Sequence, residues 1–185
     1  MFFFELRHDE TFIVTWSFIP QQFLANPFRE LPTLFTSIFM HAGWLHILGN
    51  MLYLWIFGDN VEDRFGHFRF LVFYIICGLF ATLAQMAFDI NSRIPILGAS
   101  GAIAGVLGAY ILMFPLARVR VLMGFFIIPV PSMIVIGVWI VLQIFYGVGS
   151  FGTAESGVAY LAHIGGFFAG LILALFFRNG RKIKV

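Results

Sequence analysis

The chain has 185 residues, of which 61% are hydrophobic and 11% charged, and its net charge is +2. Soluble globular chains are about 45–50% apolar and about 25% charged, so the composition excludes a water-solvated domain and points to a protein whose solvent is largely lipid. So small a net charge carries no argument for nucleic acid, and the single cysteine, Cys77, excludes an internal disulfide.

In chain order, the opening "MFFFELRHDE" lacks the basic n-region and long apolar h-region of a secretory signal, and it is too short to span a bilayer. The stretch from Trp16, "WSFIPQQFLANPFRELPTLFTSIFM", mixes aromatics, prolines and polar breaks and is expected to lie in the outer leaflet as an interfacial element. A membrane helix needs about 20 mostly apolar residues. Five candidates follow, roughly 42–58, 70–88, 98–115, 128–148 and 157–177. Pro129 and Pro131 divide the fourth run, so its helix is read as 131–148 with Pro131 near the first turn, leaving 119–128 interfacial. The glycine-rich loop 147–157 is read as a connector, with a lid as the sharper alternative.

Lysine and arginine near span ends favour the cytoplasmic side. Residues 59–69 carry Arg64 and Arg69, 116–120 carry Arg118 and Arg120, and the tail 178–185 carries Arg178, Arg181, Lys182 and Lys184. The alternate loops, 89–97 and 149–156, hold only Arg93, so the first set is assigned to the cytoplasm and the amino-terminal segment to the outside. The first, third and fifth spans then start at the outer face. Near those starts stand His46 with Asn50, Ser100, and His163. Polar groups brought to one depth in lipid are functional candidates.

Ser100 in "GASGAIAG" has two readings: a small residue in a close-packing face with Gly101 and Gly105, or a nucleophile if a base lies within reach. His163, Gly166, Gly170 and Ala174 fall at i, i+3, i+7 and i+11, one helical stripe almost free of side chain below the histidine. A neighbouring helix can press against it, and the glycine-rich face around Ser100 is the matching partner. In "HAGWLHILGN", His46 and Asn50 share a helix face and both can donate to a developing oxyanion. His41, which precedes the span, is read as a structural polar residue. There is no HExxH, and no carboxylate lies near His46, Ser100 or His163. No metal and no other cofactor is expected, and an acid-containing triad has no support.

Together these motifs resemble the rhomboid intramembrane serine proteases. "GASG" is similar to the family's G-x-S-G, "AHIGGFFAG" to its last-span histidine with G-x-x-x-G, "HAGWLHILGN" to its H-x4-H-x3-N, and "VEDRFG", with Glu62 and Arg64, to its cytoplasmic E-x-R. The resemblance covers about residues 30–177 and implies an all-α polytopic helix bundle. It implies Ser100 as nucleophile and His163 as general base, with His46, Asn50 and backbone groups near Ser100, Gly101 among them, stabilising the oxyanion. His41, Glu62, Arg64, Gly105, Gly166 and Gly170 take structural places.

Three departures from the family pattern are visible. Members carry one more span before the outer loop, of which "MFFFEL" is read as the last turn; the outer loop has "ELPTLFTSIFMH" where many have Trp-Arg; and Ala104 stands where some place an aromatic against the histidine. The expected domains are an outer-loop segment 1–41, a membrane domain 42–177 and a basic tail 178–185. The expected activity is endoproteolysis of single-pass transmembrane substrates near the outer face of a bacterial plasma membrane, the partners being those substrates and the bilayer, with neither nucleic acid nor metal. The alternative is a non-proteolytic relative that binds unstable transmembrane helices.

Overall fold

The structure, a computed structural model, describes residues 10–149 and 158–178. Four short helices open it: α1 (Glu10–Trp16), α2 (Pro20–Ala25), α3 (Pro27–Glu30) and α4 (Thr33–Thr36), followed by a 3-10 turn at Ser37–Phe39. Pro20 and Pro27 stand in the first turns of α2 and α3, where a missing N–H breaks no helical bond. Five longer helices follow: α5 (Trp44–Phe65), α6 (His67–Phe88), α7 (Ser100–Met113), α8 (Ser132–Gly149) and α9 (Tyr160–Phe177). A two-stranded antiparallel hairpin, β1 (Arg118–Met123) with β2 (Phe126–Pro131), joins α7 to α8.

Helices thus occupy all five places expected of spans. Helices α6, α8 and α9 are by themselves long and apolar enough to cross a bilayer, and α5 qualifies together with the segment Pro27–Phe39, from which it is bent by 74°. Helix α7 has only 14 residues, about 21 Å at 1.5 Å per residue against a hydrocarbon layer of about 30 Å. The reason it can be short is its position. Every residue from Gly101 to Tyr110 is buried, enclosed by α5, α6, α8 and α9, so its solvent is protein and it need not match the lipid thickness.

Two stretches differ from the sequence expectation. Residues 59–69 are not a loop: α5 runs on through Phe65 and α6 begins at His67, with Gly66 alone between them. The segment "DNVEDRF" contains neither proline nor glycine, and its Glu62 and Arg64 are good helix formers, so nothing in it stops the helix. Gly66 makes the turn at φ +83° and ψ 152°, a region open essentially to glycine. The Glu62 carboxylate accepts from His67 Nδ1 at 2.6 Å across that turn, and Phe65 packs edge-on against Phe73 with ring centroids 5.0 Å apart.

The second is residues 118–131, read as an interfacial stretch and the start of a helix. They pair in register from Arg118 with Pro131 to Met123 with Phe126, turning at Gly124, whose φ is +61°. The run of β-branched residues favours strand over helix. In a two-stranded ribbon each strand is an edge, so Pro129 and Pro131 leave no central ladder position unfilled. Helix α8 starts one residue beyond Pro131, at Ser132, whose N–H reaches Ala117 O at 2.8 Å.

The segment before α5 is tied to the bundle by hydrogen bonds, while Trp16, Leu24, Phe28, Leu31, Phe35 and Phe39 are left exposed. Phe18 and Ile96 exchange backbone hydrogen bonds of 3.0 and 2.8 Å, Gln21 N–H donates to Ser92 O at 3.1 Å, and Arg93 Nε donates to Gln21 Oε1 at 2.8 Å. Ser17, Phe18 and Met40 are fully buried. The chain before α5 is therefore fastened to the loop that leads into α7.

Candidate active site

Ser100 is the first residue of α7, at the end of that fastened loop. Gly98 precedes it with φ +124° and donates its N–H to the carbonyl of Ser37 at 2.8 Å. The turn presents Ser100 at the helix N-terminus, where the N–H groups of the first turn have no intrahelical acceptor. Gly101 lies within that turn.

His163 occupies the first turn of α9, 63 positions further along the chain, and its Nε2 is 2.8 Å from Ser100 Oγ. The approach depends on the absent side chains of the stripe below it. A Cβ added at Gly166 would run into Gly101 O, and one at Gly170 would run into Gly105 O. On α7, Gly105 leaves room for Cys77, which a Cβ would meet at 2.5 Å, and Gly108 receives the Phe167 carbonyl. The two helices consequently pack backbone to backbone.

The other ring nitrogen of His163, Nδ1, is 2.8 Å from Oε1 of Gln143 on α8. A carbonyl oxygen only accepts, so Nδ1 bears the hydrogen and Nε2 presents its lone pair to the Ser100 hydroxyl. Trp139, one turn before Gln143, lies beside the imidazole with centroids 5.9 Å apart and planes at 37°. From α6, Gln85 Oε1 accepts the backbone N–H of Ala162 at 3.1 Å, which fixes the start of α9 next to the histidine.

His46 faces the same spot from α5. A Cβ placed on Gly98 would lie 2.8 Å from both Cε1 and Nε2 of His46 and 3.7 Å from Ser100 Oγ. His46 Nδ1 accepts the N–H of Ala42 at 3.3 Å, so the neutral ring carries its hydrogen on Nε2, toward Gly98 and the serine. Asn50, one turn further along α5, is buried, and among the described residues its Nδ2 has no hydrogen-bond acceptor. A buried donor without a partner costs stability unless something else takes the bond. His41, in the break between Pro27–Phe39 and α5, packs beside His46 with ring centroids 5.2 Å apart.

Glu62 and Arg64 are at the other end of α5. Glu62 binds His67, and the Arg64 guanidinium lies 5.5 Å from the Phe114 ring centroid, joining the ends of α5 and α7. Ser100, His163, His46, Asn50, Gly101 and His41 therefore gather at one end of the bundle, Gly105, Gly166 and Gly170 form the seam below, and Glu62 and Arg64 close the opposite end.

Gln143, Trp139 and Gln85 were not anticipated. A signal existed for the first two: Gln143 is the one amide in the uncharged run 131–148, and Trp139 precedes it by one turn on the same face. Ala104 leaves the histidine without an aromatic from the serine's helix, α7, and the ring beside it is Trp139 of α8. The expectations for "MFFFEL", for most of the loop 147–157 and for the tail beyond Arg178 fall outside the described residues.

Residues 29–180 match the family described as the Rhomboid domain. The chain is 36% identical over 141 residues to the rhomboid protease GluP of Bacillus subtilis (strain 168), covering 76% of this chain and 25% of that protein. It is 31% identical over 142 residues to Rhomboid protein 1, mitochondrial, of Saccharomyces cerevisiae (74% of this chain, 39% of that protein). To RHOMBOID-like protein 1 of Arabidopsis thaliana it is 33% identical over 149 residues (80% and 35%). The matched region thus spans about a quarter to two fifths of these relatives' length. With a family match over most of its length and several apolar helices of spanning length, the chain is an integral membrane protein that belongs to the rhomboid family.

Proposed function

We propose that this protein is an intramembrane serine endopeptidase in which Ser100 is the nucleophile and His163 the general base. The observation that carries the reading is the 2.8 Å contact between His163 Nε2 and Ser100 Oγ, made by residues 63 apart on two separate helices. The name of the Bacillus subtilis relative, a rhomboid protease, agrees with it. As Oγ attacks a substrate carbonyl, its proton passes to Nε2. The tetrahedral oxyanion meets donors supplied by His46 Nε2–H, Asn50 Nδ2 and the first-turn N–H groups of α7 around Gly101. His163 returns the proton to the leaving amine, and water releases the acyl group by the same steps in reverse order. His41 supports His46 from the side.

A substrate helix shields its carbonyls with its own hydrogen bonds, so it must unwind locally before attack. The expected substrate is a single-pass helix with weak helix formers, glycine or proline, near its outer end. The excess of arginine in residues 59–69 and 116–120 puts the Glu62–Arg64 end in the cytoplasm and the Ser100 end toward the outside. The location proposed is the plasma membrane of a bacterium; one relative comes from Bacillus subtilis, and the yeast relative is named mitochondrial. Residues 42–177 make up the catalytic unit in this reading, preceded by the outer-loop segment 1–41 and followed by the basic tail 178–185.

The test is labelling of the detergent-purified protein with a fluorophosphonate. Labelling of the wild-type chain that Ser100→Ala abolishes is the expected result. Persistence of the label in Ser100→Ala, or its absence from the wild-type protein, would leave the non-proteolytic alternative standing.

A further inference from the structure

We infer that Gln143 is a positioning residue for the proposed base, its side-chain carbonyl on α8 holding the His163 ring in the one neutral tautomer that can take the Ser100 proton. The inference rests on the protease reading for its consequence and on geometry for its content. Gln143 Oε1 and Ser100 Oγ stand 2.8 Å from opposite nitrogens of one imidazole. A neutral imidazole has one hydrogen to place, and an acceptor-only oxygen at Nδ1 places it there. Without that oxygen the ring is free to carry the hydrogen on Nε2, facing Oγ, where it cannot act as base.

The same contact works later in the reaction. When the Oγ–H bond breaks and the proton joins Nε2, as Oγ bonds to the substrate carbonyl carbon, the ring becomes an imidazolium with both nitrogens protonated. Nδ1–H keeps donating to Gln143, now from a charged group, and charge-assisted hydrogen bonds are the stronger kind. Nε2–H then gives its proton to the departing amine, and the ring returns to the starting tautomer with Nδ1–H unchanged. Gln143 neither gains nor loses a proton. It fills, with a neutral amide, the place that a carboxylate holds in a serine-histidine-acid triad; among the described residues the His163 ring nitrogens bond to Gln143 and Ser100. Gln143 is half-buried on a helix whose neighbouring side chain, Trp139, restricts the same ring.

Gln143→Met keeps the length and volume of the side chain and removes the strong acceptor; Gln143→Glu keeps an acceptor oxygen whether or not it is ionised. The full chain in detergent is reacted with a series of fluorophosphonate concentrations, separating maximal labelling rate from half-saturating concentration. Gln143→Met should lower the maximal rate about tenfold or more, since an enzyme with the wrong histidine tautomer loses up to about ten-thousandfold, with the half-saturating concentration and thermal midpoint unchanged. Gln143→Glu should restore most of the rate. Equal rates for Gln143→Met and wild type overturn the inference, as do equally slow Gln143→Met and Gln143→Glu, which would mark a packing role. Nitrogen-15 histidine spectra of the wild-type chain, assigned with His163→Ala, give an independent reading: hydrogen on Nδ1 supports it, and hydrogen on Nε2 overturns it. If the protease reading itself is wrong, wild type takes no label at Ser100 while the spectra still report the tautomer.

Discussion

At Gly166 and Gly170 a hydrogen stands where other residues carry a methyl group, and that difference decides how near the imidazole comes to the hydroxyl. A Cβ at either position would enter the space of a carbonyl oxygen on α7, and because that obstacle is backbone, helix α9 would have to move away. Gly166→Ala should lower stability by about 1–3 kcal/mol, the usual cost of overpacking, and should slow fluorophosphonate labelling, because displacing α9 lengthens the Nε2 to Oγ contact. A melting curve in detergent and a labelling time course check both. Asn50 makes the opposite case, since its buried Nδ2 has no acceptor among the described residues. If it donates to the oxyanion, Asn50→Ala should reduce the turnover of a cleavable transmembrane substrate about 100-fold, with KM little changed. Stability should fall little compared with turnover, because the Nδ2 donor removed has no acceptor among the described residues. A melting temperature that falls together with turnover would indicate a structural residue instead.

Among the elements, the hairpin β1–β2 was the one least visible in advance. Its residues are apolar and uncharged from Val121 to Pro131, which fits a helix, a strand or an interfacial stretch about equally well, and short apolar runs cannot be separated by periodicity alone. Gly124 and the two prolines settle the matter once the ends of α7 and α8 are set apart, as they break helix and permit a tight turn. The tip is open: Phe125 is fully exposed and Phe126 is 75% exposed, with Arg118 and Arg120 exposed at the base. In the proposed orientation such a tip, flanked by Arg118 and Arg120, should dip into the inner leaflet with its arginines at the headgroups. Phe125→Trp in liposomes should fluoresce at short wavelength and be quenched by lipids brominated near the headgroup end of the chain. An emission typical of water with no such quenching would place the hairpin in the cytosol. The long helices were plainer, because their apolar runs reach spanning length; only the extension of α5 to Phe65 exceeded the run, since charge marks the edge of lipid and not the edge of a helix.

For the molecule as a whole, the outer segment, the loop before Ser100 and the start of α5 act as one unit. Ser37 O binds Gly98 N–H, Phe18 pairs with Ile96, and the His46 ring occupies the space that a side chain at Gly98 would need. Gly98→Ala should therefore disturb three segments together: a side chain at φ +124° costs about 1–3 kcal/mol, and its Cβ would displace His46 from the serine. The expected outcome is a lowered thermal midpoint and slower labelling at Ser100, read in the same preparation; unchanged values of both would show that the turn is not what presents the serine.

The sequence by itself determined the membrane setting, the places and order of the five longer helices, and the glycine seam along which α7 and α9 meet. These follow from composition and from helical spacing, which are local properties of the chain. Only the tertiary structure decided which nitrogen of His163 faces the serine, because that depends on Gln143 arriving from a third helix. It alone also decided that α7 could be shorter than the bilayer is thick, because the requirement to match lipid vanishes once other helices surround it.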